Sequence, residues 1–185
     1  MGQKAAFLDR DGTISVERGH ILNSQELALL PGSASAIQAL RADGWKVLVV
    51  TNQSHVARGL ITETELVVIH RDFEQMVLDA GAALDGLYYC PHHPNGAVPK
   101  YSFACDCRKP RPGMLLQAAR EHGVDLRKSV LVGDALRDIK AGQAAGIRHS
   151  ILVRTGHGQA VERQSHGADH VADDLAAAVT WIASR

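Results

Sequence analysis

Short apolar runs alternate along this chain with segments whose apolar residues recur at helical spacing. Runs of strand length occur at residues 5–8, 46–50, 86–90, 129–132 and 149–153, with a weaker one at 170–171. Helical patterns occupy residues 33–42, 63–81, 113–121, 136–145 and 175–183, and Thr62 with Glu65 predicts a capping box. This alternation predicts an α/β fold, in which a doubly wound, mainly parallel sheet carries helices on both faces.

The length of the chain favours a single domain over residues 1–185. The chain has 185 residues, enough for one compact α/β core and short for two. Residues 91–112 hold five of the six prolines and predict a long loop. We find no internal repeat, low-complexity tract or linker that would indicate a second folded unit.

The charge balance argues against two classes of partner. Twenty basic and 20 acidic residues give no basic excess, so we expect neither nucleic acid nor an anionic membrane as a partner. No apolar run approaches the roughly 20 residues that span a bilayer. The first residues carry no signal-peptide pattern, and we therefore predict a cytoplasmic protein.

Polar residues follow several of the predicted strands at the point where each one ends. Asp9 and Asp11 come after the first run, Thr51 and Asn52 after the second, and Asp134 after the fourth. Carboxyl ends of parallel strands share one edge of a sheet, which is where such sheets bind ligands. Two neighbouring carboxylates repel each other unless a cation neutralises them, and Mg²⁺ prefers oxygen ligands. A simple Asp-Gly turn is the alternative interpretation of the first motif.

Two further groups complete a candidate catalytic set. The loop sequence CRKPRPG supplies Arg108 and Lys109 as cations, and Asp138 follows Asp134 by one helical turn. A nucleophile, an acid or base, a cation and a metal ligand are therefore all available at one predicted edge.

All three cysteines lie within a stretch of 18 residues and are spaced like metal ligands. Cys90 and His92 form a C-x-H pair, and Cys105 and Cys107 form a C-x-C pair. Three thiolates and an imidazole make a closed tetrahedral Zn²⁺ site, which indicates a structural zinc in a loop over about residues 90–107. The competing ligand is His93, and the alternative is three buried free cysteines beside a surface histidine. A zinc here would also fix the two cations that follow Cys107.

The ordered motifs D-x-D-G-T, T-N, K-P and G-D-x-x-x-D resemble those of the haloacid dehalogenase superfamily of phosphotransferases. The resemblance implies a phosphatase with a haloacid dehalogenase-like (Rossmannoid) fold and no large cap domain. It implies that Asp9 attacks phosphorus and that Asp11 acts as acid and base. Thr51 and Lys109 would hold the phosphoryl oxygens.

The same resemblance implies how the catalytic metal is held. Mg²⁺ would bind Asp9, the backbone carbonyl of Asp11 and Asp134, while Asp138 orients the site. A solvated helical carboxylate is the alternative interpretation of Asp138.

Two groups within the superfamily carry a similar zinc loop, the heptose 1,7-bisphosphate phosphatases and the histidinol-phosphate phosphatases. TNQSHVARG, CDCRKPRPGML and LVRTG are more similar to segments of the first group. This implies removal of the C7 phosphate of a small phosphorylated sugar. A compact domain with balanced charge and no large cap favours a monomer. A histidinol-phosphate phosphatase, a broader sugar-phosphate phosphatase and a non-catalytic phosphate-binding module are the alternatives.

The resemblance also places the substrate. It implies substrate contacts from Glu17, Arg18, Gly19, His20, Thr51, Asn52, Gln53, Ser54, Arg108 and Lys109, with Arg58 as a second candidate for the uncleaved phosphate. The sequence departs from the expected pattern at Ser15, His20, His55 and Ala135, of which His20 and His55 lie near the expected substrate. These departures leave the preferred anomer of the sugar open.

Overall fold

The computed structural model describes residues 2–185 and contains one six-stranded parallel sheet. Its strands run in the order β3-β2-β1-β4-β5-β6, and every neighbouring pair is parallel. The strands are β1 (Ala5–Leu8), β2 (Lys46–Asn52), β3 (Gly86–Cys90), β4 (Val130–Gly133), β5 (His149–Val153) and β6 (His170–Ala172). The predicted fold class is confirmed.

Helices cover both faces of this sheet. They are α1 (Ser33–Ala42), α2 (Glu63–Asp79), α3 (Gly113–His122), α4 (Leu136–Ala145), α5 (Gly158–Glu162) and α6 (Leu175–Ala183). Helices α1, α2 and α6 pack in one apolar cluster, and α3 and α4 pack in the other. The short α5 was not predicted, since five residues are too few to show a helical period.

The first strand shows why the apolar runs lack alternation. Ala6 and Leu8 face one cluster, while Ala5 and Phe7 face the other, and all four are fully buried. A strand covered by helices on both sides must be apolar at every position.

The predicted start of α2 is confirmed in detail. The backbone N–H of Glu65 donates to the Thr62 hydroxyl over 3.2 Å, and the Thr62 N–H donates to the Glu65 carboxylate over 2.7 Å. This reciprocal pair satisfies two amides that the first helical turn leaves without partners.

The strand order reverses direction between β1 and β4, which are adjacent in the sheet but distant along the chain. In open α/β sheets, ligands bind beyond the carboxyl ends of the strands at such a switch point. Asp9 and Asp134 directly follow these two strands. No helix within residues 2–185 is both long and apolar enough to cross a membrane.

Candidate active site

Asp9 lies at the end of β1 and is fixed through one of its two carboxylate oxygens. Its Oδ1 accepts a hydrogen bond from the Arg10 backbone N–H over 2.8 Å and lies 3.0 Å from the Lys109 ammonium. Both the Asp9 and Lys109 side chains are buried. The contacts to Oδ1 leave Oδ2 available to react.

Lys109 is held by three groups in the interior. Its ammonium contacts Asp9 and, at 2.5 Å, Asp138, and it donates to the Val50 carbonyl over 2.7 Å. The Asn52 side chain holds its backbone, accepting from the Lys109 N–H and donating to its C=O, each over 3.0 Å. Asn52 thus connects β2 to the loop that carries this cation.

Asp138 uses both of its oxygens inside the protein. One contacts Lys109, and the other accepts from the Ala135 N–H over 3.0 Å, at the start of α4. The side chain is fully buried. These contacts fit the orienting role predicted for Asp138 and disagree with a solvated carboxylate.

Asp134 sits between two glycines that cannot be replaced without collision. Gly12 and Gly156 both have positive φ, and a Cβ on either would lie 2.2 Å from Asp134 Oδ2. That oxygen accepts from the His157 N–H over 2.8 Å, while Oδ1 is buried and has no hydrogen-bond partner. Gly12 therefore explains the fourth position of the D-x-D-G motif.

Asp9, Asp134 and Asp138 present carboxylate oxygens within 4.8 Å of one another. Burial, together with the neighbouring carboxylates, raises the pKa of Asp9 and of Asp134 above the usual range. Asp134, a member of this cluster of negative charge, keeps a buried Oδ1 that has no hydrogen-bond partner. The set of hard oxygen donors fits a divalent cation such as Mg²⁺.

Asp11 faces a different set of partners from Asp9. The Arg10 guanidinium donates to both Asp11 oxygens, over 2.9 and 2.8 Å, and Gln53 Nε2 donates to Oδ2 over 2.8 Å. Ser15, one of the unexpected residues, adds a hydroxyl at 3.3 Å. Burial acts to raise the pKa of Asp11, but the Arg10 charge and these hydrogen bonds hold it below its usual range.

A pocket of about 160 Å³ opens above these carboxylates. Of the predicted site residues, those lining it are Asp9, Asp11, Glu17, Gly19, His20, Thr51, Asn52, Ser54 and Arg108. Gln53 and Lys109 are buried behind this lining, whereas Arg18 and Arg58 are exposed and outside it. The structure therefore gathers most of the predicted site in one place.

His55 connects the loop that carries Gly19 to Asp11, the predicted acid and base, through Gln53. Its Nδ1 lies 3.1 Å from Gln53 Oε1, and its Nε2 lies 3.4 Å from the Gly19 carbonyl. Gln53 in turn donates to Asp11 and to the Thr51 hydroxyl, over 2.8 and 2.9 Å. The His20 ring meets the His55 ring edge to face, with centroids 4.8 Å apart.

Three residues of the site were missed by the sequence interpretation. His157 and Arg137 line the pocket, and Arg10 pairs with Asp11. Arg137 stands inside the G-D-x-x-x-D motif, and its position between the two acidic residues of that motif is the signal that could have revealed it. The partners of Arg10 and His157 depend on packing that the sequence pattern does not show.

The predicted zinc ligands converge on one point. The three sulfur atoms of Cys90, Cys105 and Cys107 lie 3.1–3.4 Å apart, and His92 Nδ1 lies 3.3 Å from Cys107 Sγ. Tetrahedral Zn²⁺ with sulfur at about 2.3 Å would place its ligand atoms roughly 3.5–3.8 Å apart. The Cys₃His cluster is thus compatible with zinc, whereas His93 bonds to the Asn95 amide instead.

The cysteine cluster touches the pocket through Arg108. The Arg108 guanidinium donates to the His92 backbone carbonyl over 3.1 Å. Because Arg108 and Lys109 also follow Cys107 directly in sequence, a metal in the cluster would hold both cations in place.

Known proteins resemble this chain over nearly its whole length. The HAD-hydrolase-like family model matches residues 106–178. The D-glycero-β-D-manno-heptose-1,7-bisphosphate 7-phosphatase of Yersinia pestis is 42% identical over 172 residues, which cover 93% of this chain and 91% of that protein. The chain belongs to this heptose bisphosphate phosphatase family. The Escherichia coli K12 member is also 42% identical, over 93% of this chain and 90% of that protein.

Solved structures of the heptose bisphosphate phosphatase family share the fold described above. The enzyme from B. bronchiseptica, crystallised with magnesium and phosphate, is 35% identical with a TM-score of 0.86, and the match covers 98% of both chains. The enzyme from Burkholderia thailandensis is 30% identical with a TM-score of 0.73, over 99% of this chain and 100% of that one. The family resemblance inferred from the motifs is confirmed.

Proposed function

We propose that this protein hydrolyses the C7 phosphate of D-glycero-β-D-manno-heptose 1,7-bisphosphate and releases the heptose 1-phosphate. The observation that carries the proposal is the pair Asp9 and Asp11, which leave one buried strand and face one pocket in different electrostatic surroundings. The names of the relatives supply the substrate and its anomer.

In the first half of the reaction, Asp9 Oδ2 attacks phosphorus and the bond from phosphorus to the sugar oxygen breaks. Oδ1 is already occupied by Lys109 and the Arg10 amide, so the carboxylate is held in one orientation. The Lys109 ammonium and the Thr51 hydroxyl are placed to stabilise charge on the phosphoryl oxygens. The product is an aspartyl phosphate on Asp9.

Asp11 gives its proton to the departing sugar oxygen in this step. In the free protein the Arg10 pair favours the ionised carboxylate. A bound phosphate brings negative charge beside Asp11, which raises its pKa and allows it to carry the proton. In the second half, Asp11 removes a proton from the water that attacks phosphorus, and inorganic phosphate leaves.

Asp9 and Asp134 would hold Mg²⁺, together with the Asp11 backbone carbonyl. The unpartnered Asp134 Oδ1 and the crowded carboxylates support this assignment. When bound, the ion offsets the repulsion between the nucleophile and the phosphate. We assign Asp138 to the orientation of Lys109, because both of its oxygens are occupied.

The sugar would lie against the loop that includes Glu17, Gly19 and His20, with Ser54 and Arg108 opposite. Gln53 acts behind this surface, since its side chain is bonded to Asp11, whereas Asn52 lines the pocket and its side-chain amide donates to the Lys109 carbonyl. We place Arg18 and Arg58 outside the contact surface because both are exposed away from the pocket.

Zn²⁺ at the Cys₃His cluster, the monomeric state and a cytoplasmic location stay predictions that accompany this proposal. The histidinol-phosphate and general sugar-phosphate alternatives are not favoured by the relatives described above.

The test is phosphate release with Mg²⁺ from four substrates: the β and α anomers of the heptose bisphosphate, histidinol phosphate and fructose 1,6-bisphosphate. We expect a marked preference for the β anomer and no turnover above blank in Asp9→Asn. Faster turnover of histidinol phosphate would contradict the substrate, and equal turnover of all four would show a generalist. An active Asp9→Asn variant would contradict the mechanism.

A further inference from the structure

Arg137 is a cation in the pocket that the reaction described above does not use. It is the second residue of α4, and its side chain lines the pocket beside Asp9, Asp11 and Arg108. The first turn of a helix also carries partial positive charge. Both the Arg137 guanidinium and the start of α4 therefore attract anions to this wall of the pocket.

Arg137 has no ion pair, although carboxylates surround it. Within residues 2–185 its guanidinium pairs with none of Asp9, Asp134 and Asp138, and its buried Nε has no hydrogen-bond partner. Lys109 already pairs with two of these carboxylates. A structural counterion would itself be paired, so Arg137 is free to bind an incoming anion.

Two other arginines, unlike Arg137, form ion pairs with nearby carboxylates. Arg10 donates to both oxygens of Asp11, and Arg154 pairs with Glu162 and Asp173. Both of these guanidinium groups are paired with protein carboxylates, although Arg10 Nη1 is itself buried without a hydrogen-bond partner. Arg137 has a comparable cluster of carboxylates nearby, yet it forms no ion pair with them within residues 2–185.

Arg137 and Arg108 lie close enough to act on each other's charge. The Arg137 guanidinium contributes to a lowered pKa of Arg108, after burial as the main cause. Although burial opposes the charge on Arg137, the carboxylates of Asp138, Asp9 and Asp134 raise its pKa. Two guanidinium groups on one wall repel each other unless an anion lies between them, and the planar fork of each matches two phosphate oxygens.

We propose that Arg137 binds, together with Arg108, the phosphate that the reaction leaves on the substrate. This inference rests on the proposed function, in which a bisphosphate loses one phosphate at Asp9 and retains the other. The phosphoryl group at Asp9 already has Lys109 and Thr51, whereas the retained phosphate needs a cationic site of its own. Arg137 then takes the place predicted for Arg58.

The test compares Arg137→Gln with wild type on two substrates, the heptose 1,7-bisphosphate and p-nitrophenyl phosphate, which has no second phosphate. We expect kcat/KM for the bisphosphate to fall by about 10- to 100-fold, mostly through KM, as for the loss of a charged hydrogen bond. Turnover of p-nitrophenyl phosphate should stay within about twofold, and Arg137→Lys should recover part of the loss. Arg163→Gln, an exposed arginine remote from the pocket lining, is the matched control.

Two results would overturn the assignment. An equal fall in kcat/KM for both substrates would place Arg137 at the transferred phosphoryl group. No fall for either substrate would show that Arg137 does not bind phosphate. Heptose 7-phosphate, assayed as a third substrate, separates failure of the proposed function: wild type would then show no preference for the bisphosphate over heptose 7-phosphate. If Arg137→Gln keeps the wild-type preference for the bisphosphate, the assignment of Arg137 is contradicted and the proposed function is not.

Discussion

The two ends of the pocket are built from different parts of the fold. The floor consists of Asp9 and Asp11, which line the pocket, with Lys109 and Asp134 buried outside the lining; it comes from strand ends and the loop that follows the cysteine cluster. The rim is formed by Glu17, His20, His55, Arg108 and Arg137, and lies on loops and the first turn of α4.

The difference separates chemistry from selectivity. Lys109 on the floor contacts its carboxylate partners over 2.5–3.0 Å, and these groups are fixed by the sheet. Rim residues are mostly more exposed, and they include His20 and His55, two positions at which the sequence analysis expected other residues. Loops can change on a constant scaffold, so the rim is where members of one family can differ in substrate.

Replacing the acid or base on the floor should have the largest effect on activity. Asp11→Asn is expected to lower kcat for the sugar substrate by about 10²- to 10⁴-fold, because the sugar oxygen must leave as an alcohol. The fall should be smaller with p-nitrophenyl phosphate, whose leaving group needs no proton. Steady-state kinetics on both substrates, with the exposed Asp79→Asn as control, measures this. Equal losses would contradict the acid role.

Removing metal from the cysteine cluster should weaken the support of Lys109 in the floor and of Arg108 in the rim. Loss of this support for Arg108 and Lys109 is expected to lower kcat/KM by about 10- to 100-fold and to lower the Tm. A zinc-selective chelator with excess Mg²⁺, or Cys105→Ser, tests this, and added Zn²⁺ should restore only the chelated wild type. Full activity in protein shown to contain no zinc would refute the link.

The pH dependence of stability tests whether water is excluded from the buried region around His70, behind the floor. Burial, with a smaller effect of Arg10, lowers the pKa of His70 to about 3, and both ring nitrogens are buried without partners. The unfolded chain binds this proton at pH below about 6.5 and the folded protein only near pH 3, so stability falls as pH drops through that window. Between pH 7 and pH 5, the titration of His70 should lower the free energy of unfolding by about 2 kcal/mol.

Urea unfolding of wild type and His70→Leu at pH 7 and pH 5 measures this difference. The variant should lose about 2 kcal/mol less than wild type between the two pH values. His122→Leu, at a half-exposed position, is the control. A variant with the same pH dependence as wild type would show that His70 is hydrated in the folded protein.

A change on the rim should have the smallest effect and should depend on the substrate. His55→Ala removes the ring between Gln53 and the Gly19 carbonyl, so the loop that carries Glu17 and His20 loses one anchor. We expect KM for the heptose bisphosphate to rise about tenfold, equivalent to about 1.4 kcal/mol. Turnover of p-nitrophenyl phosphate should be unaffected, and a fall in its kcat would place His55 in the floor.

The sequence predicted the floor far better than the contacts that support it. Asp9, Asp11 and Asp134 follow apolar runs that are strongly strand-like, and parallel strand ends share an edge. Asn52 holds Lys109, 57 residues away, through its side-chain amide. No local pattern could show this, because the partners are brought together only by folding.

The rim was predicted in part, and the reason is again physical. The loop with Glu17 and His20 was expected at the substrate, but the edge-to-face contact of His20 with His55 depends on how two loops pack. Arg137 was overlooked because a polar residue in the first turn of a helix is usually solvated. Its position relative to the pocket is set by the direction in which α4 leaves β4.

Chemical trapping can show whether Asp9 carries the phosphoryl group, on which the whole mechanism depends. Wild type mixed with the heptose bisphosphate and Mg²⁺ is quenched within one turnover and reduced with borohydride, which converts an aspartyl phosphate to homoserine. We expect homoserine at position 9 alone, detected by peptide mass spectrometry and absent from Asp9→Asn. Homoserine at position 11, or at no position despite rapid turnover, would contradict the role of Asp9 as nucleophile.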